Sequence, residues 1–127
     1  MSGRVVHFEI PYDDGQRARD FYAKAFGWEV TEMPEMNYTM VSSGPSGDQG
    51  PTEAGFINGG MMQRQEPFKA PNLVIDVESI DAALAVISEA GGSPVSEREA
   101  VGDMGFAAYF KDTEGNLVGL WESVPQG

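Results

Sequence analysis

Residues 5–28 read VVHFEIPYDDGQRARDFYAKAFGW, and they carry a strand pattern followed by a helix pattern. The alternation of side chains over 5–10 predicts a short strand, because neighbouring residues of a strand point to opposite sides of a sheet. One face of this strand is apolar and consists of Val6, Phe8 and Ile10. The other face carries His7 and Glu9. We therefore expect the first strand to have one core face and one polar face.

A helix is predicted after this strand and a short turn. Its apolar residues recur at helical spacing, at Ala18, Phe21, Tyr22, Ala25 and Phe26. Asp14 is placed to cap the first turn, and Gly27 is placed to end the helix. Three strand candidates follow, at Trp28–Met33, Tyr38–Ser42 and Ala54–Asn58, with a Gly-, Pro- and Ser-rich loop at 43–52 between the last two. The first half of the chain therefore has the order βαβββ.

The second half repeats this plan at an offset of 72 − 7 = 65 residues. Residues 72–92 read NLVIDVESIDAALAVISEAGG, in which a strand is followed by a helix capped by Ser79 and ended by Gly92. Three strand candidates complete the half, at Pro94–Glu99, Phe106–Phe110 and Leu117–Glu122. We predict an α+β fold in which one domain, 1–127, consists of two βαβββ modules at about 4–65 and 70–124.

Charge and composition exclude several classes of function. The chain has 127 residues, with 8 Lys+Arg against 20 Asp+Glu, and its net charge of −12 repels phosphate backbones and anionic lipid. We therefore expect neither a nucleic acid nor a membrane partner. The absence of cysteine removes disulfides and cysteine-containing metal sites. Since no segment approaches the roughly 20 apolar residues that span a bilayer, and no signal-peptide pattern is present, we expect a soluble protein in the cytoplasm.

Several segments together resemble a known superfamily. They are the doubled βαβββ order, the segment HFEIP at 7–11 with RDFY at 19–22, and the ending DTEGNLVGLWE at 112–122. The chain resembles the glyoxalase/bleomycin-resistance/extradiol-dioxygenase group, called the vicinal oxygen chelate superfamily. The resemblance implies that the two modules form a glyoxalase-like cleft from mixed curved sheets. It also implies a small-molecule ligand.

The resemblance further implies a set of site residues. In metal-using members of this superfamily, cleft positions on the first and last strands of each half hold the ion. Matched to this chain, those positions are His7, a residue at Ile57 or Asn58, Asn72 and Glu122. His7 and Glu122 are the strong ligands among them, since an amide oxygen is neutral. The implied cofactor is a divalent ion (Zn, Ni, Mn or Fe) or none, with Glu122 as the catalytic carboxylate and Asn58, Asn72, Met40, Met61 and Leu120 lining the cleft.

Two classes of function remain open at this point. The first is a metal-assisted lyase or isomerase that acts on a small carbonyl compound. The alternative is a metal-free protein that binds an apolar or cationic small molecule, similar to the superfamily's antibiotic-sequestering members. An extradiol dioxygenase is disfavoured because the chain has one histidine. We also expect a homodimer, because the second face of each half-sheet carries apolar residues.

Overall fold

The computed structural model describes residues 3–124, which form two compact units. One unit is His7–Pro71, and the other combines the segment before His7 with the segment from Asn72 onward. Each unit contains one α-helix and a sheet with both parallel and antiparallel strand pairs. The predicted α+β fold class is confirmed. In the described residues no helix is long and apolar enough to cross a membrane.

The unit His7–Pro71 contains the first helix and the strands around it. Its elements are β1 (Val5–Tyr12, of which 7–12 belong to this unit), α1 (Gly15–Phe26), β2 (Glu29–Met33), β3 (Tyr38–Ser42), β4 (Ser46–Gly47), β5 (Gly50–Pro51) and β6 (Asn58–Gln63). Four strands form a sheet in the order β2-β3-β6-β1, in which β1 and β6 are parallel and the other pairs are antiparallel. The short strands β4 and β5 form a separate hairpin in the predicted loop.

The second unit has a similar composition of elements. They are β7 (Asn72–Asp76), α2 (Ile80–Glu89), β8 (Ser93–Pro94), β9 (Glu99–Val101), β10 (Gly105–Lys111) and β11 (Leu117–Ser123). β11 pairs in parallel with β7 and antiparallel with β10, and β10 also pairs with β8 and β9. In the turn before β11, the Asp112 carboxylate accepts the backbone N–H groups of Glu114 and Asn116 at 2.8 and 2.9 Å.

The predicted N-caps of both helices are present. Asp14 accepts the N–H of Arg17 at 3.0 Å, and Ser79 accepts that of Ala82 at 3.1 Å. Gly27 ends α1 in the left-handed conformation with φ 73°. The helical spacing predicts a core face for α1, yet this helix has no buried residue, and Phe21 and Phe26 are 58% and 64% exposed.

Three predicted boundaries are wrong. The candidate Ala54–Asn58 is a turn around Gly55, whose φ of 105° breaks the extended backbone, and β6 begins only at Asn58. Helix α2 ends at Glu89, with Ala90 as its C-cap, before the predicted stop at Gly92. The candidate Pro94–Glu99 divides into β8 and β9, two short strands that both pair with β10.

Each unit has buried apolar residues on the helix-covered side of its sheet. In the first unit Val41, Thr39 and Met61 are fully buried, and Trp28 stacks on Tyr22 of α1 with ring centroids 4.9 Å apart. In the second unit a buried cluster packs with side chains of α2, and it consists of Ile80, Ala108, Phe110 and Leu120. The opposite side of the first unit's sheet carries the polar residues described next.

Candidate functional site

The register of the first unit's sheet assembles one continuous face around His7. His7 pairs with Asn58, Glu9 pairs with Gly60, and Gly60 also pairs with Met40. Side chains at paired positions point to the same side of a sheet. We call this side the His7 face; its positions are His7, Glu9, Pro11, Glu29, Thr31, Met33, Tyr38, Met40, Ser42, Asn58, Gly60 and Met62.

Three side chains of the His7 face form a hydrogen-bonded chain. The Tyr38 hydroxyl donates to Oε2 of Glu9 at 3.1 Å, and Nε2 of His7 lies 2.8 Å from the same hydroxyl. Glu9 is only 5% exposed, so its carboxylate is removed from water and its hydrogen bonds carry extra weight. Two strands supply the three groups, since His7 and Glu9 lie on β1 and Tyr38 lies on β3.

The proton positions in this chain follow from counting donors. In the arrangement in which the phenol proton of Tyr38 goes to Glu9, an N–H on Nε2 of His7 makes the contact with the Tyr38 oxygen. Burial lowers the pKa of His7 below its ordinary value of 6.5, which favours the neutral ring at neutral pH. A neutral imidazole protonated on Nε2 has its basic lone pair on Nδ1. With Nε2 donating to Tyr38, the basic lone pair of the neutral His7 ring lies on Nδ1.

Gly60 makes room for the Tyr38 hydroxyl. A Cβ atom at position 60 would lie 1.9 Å from Tyr38 Oη and 2.0 Å from its Cζ. Tyr38 is the register partner of Met62, so its ring reaches diagonally across Gly60 toward Glu9. The contact between the phenol and the carboxylate therefore depends on the absence of a side chain at Gly60.

The structure fixes the register that the sequence leaves open between Ile57 and Asn58. Asn58 is the partner of His7 in the parallel pair of β1 and β6. Its side-chain oxygen accepts the N–H of Ser43 at 2.9 Å, and its amide nitrogen donates to Ser46 Oγ at 2.8 Å. Asn58 therefore holds the segment after β3 against the start of β6.

Glu122 lies on the helix-covered side of the second unit, which corrects its predicted role. Its register partner is Phe106, a member of the packing around α2. Oε1 accepts the N–H of Ile80 at the start of α2 at 2.9 Å, and Arg98 binds both carboxylate oxygens at 2.9 to 3.2 Å. The hydrogen bond from Arg98, followed by that from Ile80, lowers the pKa of Glu122. Glu122 therefore anchors a helix terminus.

Asn72 and Glu122 point to opposite sides of the second unit's sheet. Val74 pairs with Gly119 and Asp76 with Trp121, so the even-numbered residues of β7 share a face with the odd-numbered residues of β11. Asn72 belongs to that face, and Glu122 belongs to the other. The predicted pairing of the two as ligands is wrong, because a strand alternates at every residue.

Two of the predicted cleft-lining residues are core residues instead. Met61 is 0% exposed and alternates with Gly60 and Met62, which places it away from the His7 face. Leu120 is 2% exposed and packs in the cluster beneath α2. Met40 does lie on the His7 face, with 38% of its surface exposed.

The predicted donors do not fit a divalent ion as a set. Across residues 3–124 no group of three or more His, Asp or Glu side chains is arranged to hold a metal. Glu122 is occupied by Arg98 and Ile80, Asn58 by Ser43 and Ser46, and Nε2 of His7 by Tyr38. We therefore derive no step through a metal.

The sequence pattern places His7 and Glu9 on one face of a strand, but it does not indicate that Tyr38 forms hydrogen bonds with them. Glu9 follows His7 by two residues in a strand, so the shared face is visible in the sequence. Tyr38 is visible only as the start of a strand candidate. Its place beside Glu9 depends on the pairing of β3 with β6 and of β6 with β1, which no local pattern encodes.

Comparisons with known proteins agree with this fold. The family described as bleomycin resistance protein-like N-terminal matches residues 4–44. A glyoxylase-like domain-containing protein from Didymella fabae is 28% identical over 119 residues, which cover 91% of each chain. These likenesses confirm the resemblance to glyoxalase- and bleomycin-resistance-like proteins that the sequence indicates.

Solved structures with low sequence identity share the fold. A methylmalonyl-CoA epimerase from Streptomyces coelicolor, solved with 2-nitronate-propionyl-CoA, has a TM-score of 0.69 and 19% identity, with 98% of this chain and 96% of that chain covered. A hypothetical protein from Bacillus halodurans C-125 has a TM-score of 0.67 and 14% identity, with 100% and 99% covered. Neighbours of this fold thus include an enzyme that binds a small molecule.

Proposed function

We propose that this protein is an isomerase or lyase of the glyoxalase-like kind, which moves a proton on the carbon next to a carbonyl group. The observation that supports the proposal is the hydrogen-bonded chain from His7 through Tyr38 to the buried carboxylate of Glu9. A buried carboxylate that orients an imidazole and stabilises its protonated form is a recurrent arrangement for general-base catalysis. The epimerase among the structural neighbours is compatible with such chemistry.

In the proposed reaction His7 is the catalytic residue, and Tyr38 and Glu9 are positioning residues. Nδ1 of His7 takes the proton from the substrate carbon, and the electron pair of the broken C–H bond moves into the carbonyl as an enolate. The imidazolium that forms donates through Nε2–H to Tyr38, whose hydroxyl is held by the Glu9 carboxylate. Return of the proton to the carbon completes an isomerisation, and loss of a neighbouring leaving group completes an elimination.

Hydrogen exchange with simple carbonyl compounds tests this proposal. Small ketones, aldehydes and thioesters are incubated with the protein in D2O, and the loss of the proton signal next to the carbonyl is followed by NMR. We expect at least one compound to exchange, His7→Gln to abolish exchange, and Tyr38→Phe to slow it by about 100-fold, which is within the range for general-base catalysis. The control Tyr12→Phe, at the end of the same strand β1, should exchange like the unaltered protein.

The pH profile separates positioning from a purely structural role. If Glu9 stabilises the protonated imidazole through Tyr38, Glu9→Gln should move the pH midpoint of exchange to lower pH while the protein stays folded. An unchanged midpoint in a folded Glu9→Gln protein, or exchange that survives in His7→Gln, would contradict the proposal.

A second candidate function is capture of an apolar or cationic small molecule without chemistry. A hollow of about 320 Å³ lies at the end of β1 and the start of α1, and its walls include Tyr12, Phe21, Tyr22, Asp13 and Asp14. Aromatic rings and carboxylates suit a cationic apolar ligand. Arg64 forms an ion pair with Asp13 at 2.9 Å and offsets part of this acidity. Saturable binding of such a compound with no exchange across the whole panel would favour this candidate.

We also propose that the chain acts as a homodimer. Phe21 and Phe26 on α1 are more than half exposed and lie in edge-to-face contact, with ring centroids 6.4 Å apart. Adjacent exposed aromatic rings of this kind mark protein–protein contacts. The sequence predicts a homodimer from apolar residues on the second face of each half-sheet. Two of these residues, Val74 and Leu120, are buried and therefore less exposed than predicted.

A further inference from the structure

The His7 face carries a wall of methionines beside the catalytic chain of the proposed function. Met33 pairs with Tyr38, Met40 pairs with Gly60, and Met62 pairs with both Tyr38 and Pro11. All three therefore border the phenol that joins His7 to Glu9. Methionine is flexible and polarisable, so this surface can pack against apolar groups of varied shape.

The fixed charges of the His7 face are acidic. Its carboxylates are Glu9, which is buried, and Glu29, which is exposed at the edge strand β2. None of the five cationic residues of the fully described unit 7–71 lies at a His7-face position. They are Arg17, Arg19 and Lys24 on α1, and Arg64 and Lys69 after β6.

Three of these five cations form ion pairs elsewhere in the unit. Arg19 pairs with Glu32 at 3.3 Å, Arg64 pairs with Asp13, and Lys69 pairs with Glu66. Glu32 alternates with Thr31 and Met33 and so lies on the opposite face of β2. A carboxylate or phosphate placed on the His7 face beside Glu9 and the methionines would find no Lys or Arg of this unit at a face position.

We propose that the substrate of this site is an uncharged carbonyl compound with an apolar chain, and that substrates bearing a carboxylate or phosphate are rejected. The inference rests on the proposed function for the location of the site. The methionine wall holds the apolar chain, and the Glu9 carboxylate disfavours anions by like-charge repulsion in a poorly solvated setting. Repulsion of anionic substrates by Glu9 would contribute to substrate specificity, as would the attraction of apolar chains to the methionines.

A matched pair of probes tests the inference by binding rather than by turnover. Methyl 4-oxopentanoate is neutral, and 4-oxopentanoate has the same ketone chain with a carboxylate. Each is titrated into protein labelled with ¹³C at the methionine methyl groups, and the signals of Met33, Met40 and Met62 are followed. Met104, which is 52% exposed in the second unit, serves as the internal control for non-specific contact.

We expect the neutral ester to shift the three methionine signals at a concentration about tenfold lower than the acid, a difference of about 1.4 kcal/mol. We also expect Glu9→Gln to reduce this discrimination. Equal or tighter binding of the acid, no shift with either probe, or equal shifts at Met104 would overturn the inference.

The binding test and the hydrogen-exchange test can fail independently of each other. If the ester binds at the methionines and no compound exchanges hydrogen, the catalytic proposal fails and the ligand class stands. If exchange occurs and the carboxylate-bearing member of the pair exchanges faster, the catalytic proposal stands and the ligand class fails.

Discussion

The buried carboxylate of Glu9 destabilises the fold unless polar groups compensate for its lost hydration. Tyr38 supplies one such hydrogen bond, and His7 extends it toward the surface. A purely structural core position would be filled at lower cost by an apolar residue of similar size. The presence of a buried, hydrogen-bonded carboxylate on a sheet face is therefore the feature that favours a functional role.

Gly60→Ala should break the hydrogen bond between Tyr38 and Glu9 while leaving the residues His7, Tyr38 and Glu9 themselves unchanged. The new methyl group would occupy the position of the Tyr38 hydroxyl, so the phenol must swing away from Glu9. We expect hydrogen exchange to fall about as far as in Tyr38→Phe, roughly 100-fold. Gly47→Ala is the matched control, since its Cβ meets only Thr52 Cγ2 at 3.6 Å. Full activity in Gly60→Ala would show that the contact of Tyr38 with Glu9 is dispensable.

Glu122→Gln should lower stability and leave hydrogen exchange unchanged. The substitution removes charge-assisted bonds to Arg98 and to the N-terminus of α2, and we expect a loss of about 1 kcal/mol in the free energy of unfolding. Because the native pKa of Glu122 is lowered, its contribution is present above the ordinary pKa and is lost as pH falls through the native value. Chemical denaturation at pH 7 and in acid checks both points. Loss of exchange in the stable variant would restore Glu122 as a catalytic residue.

At the residue scale the sequence predicts the polar face of the first strand correctly and the role of the last strand wrongly. The two-residue period alone places His7 and Glu9 together. The resemblance assigns Glu122 as a ligand, although Val118, Leu120 and Glu122 share one side of a strand. Burial of Leu120 beneath α2 shows that this side is the core side, and the sequence does not state which side the helix covers.

At the scale of elements, local chemistry predicts the starts of the two helices better than the start of strand β6. The caps at Asp14 and Ser79 are set by side-chain oxygens that bond the first turn, which is a local interaction. The start of β6 depends instead on where the chain rejoins β1, and the glycines at 55, 59 and 60 give no strand signal of their own. Gly59 and Gly60 are required by packing, since Cβ atoms there would collide with Phe8 and Tyr38.

Thr39→Val should stabilise the sheet of the first unit. Thr39 is fully buried on the helix-covered side, and within residues 3–124 its hydroxyl has no hydrogen-bond partner. Valine has the same shape without the unpaired hydroxyl, so we expect a gain of about 1 kcal/mol in the free energy of unfolding by urea denaturation. Thr31→Val, on the exposed part of the neighbouring strand β2, should give no comparable gain. A loss of stability in Thr39→Val would show that the hydroxyl is bonded in solution.

At the scale of the whole molecule, the net charge opposes self-association and the exposed aromatic rings of α1 favour it. The net charge of −12 keeps copies of the chain apart at long range. Local exposure of aromatic rings on α1 favours contact at short range, where screening at physiological salt limits repulsion to about 8 Å. Self-association should therefore strengthen as salt increases.

We predict a mass of two protomers by light scattering at physiological salt. The double variant Phe21→Ser/Phe26→Ser removes the aromatic pair from α1 and should scatter as one protomer. Val86→Ser on α2, which replaces a residue that is 58% exposed like Phe21, should stay dimeric. A monomer for the unaltered protein, or a dimer for the double variant, would exclude α1 as the interface.

The protonation of His7 can be measured directly, because His7 is the single histidine of the sequence and its ring signals need no assignment. ¹⁵N NMR of the ring reports both the titration midpoint and the tautomer. We predict a midpoint below 6.5 and, above it, a neutral ring protonated on Nε2, with the tautomer preference weakened in Tyr38→Phe. A midpoint at or above 6.5, or a neutral ring protonated on Nδ1, would contradict the proposed chain from His7 to Glu9.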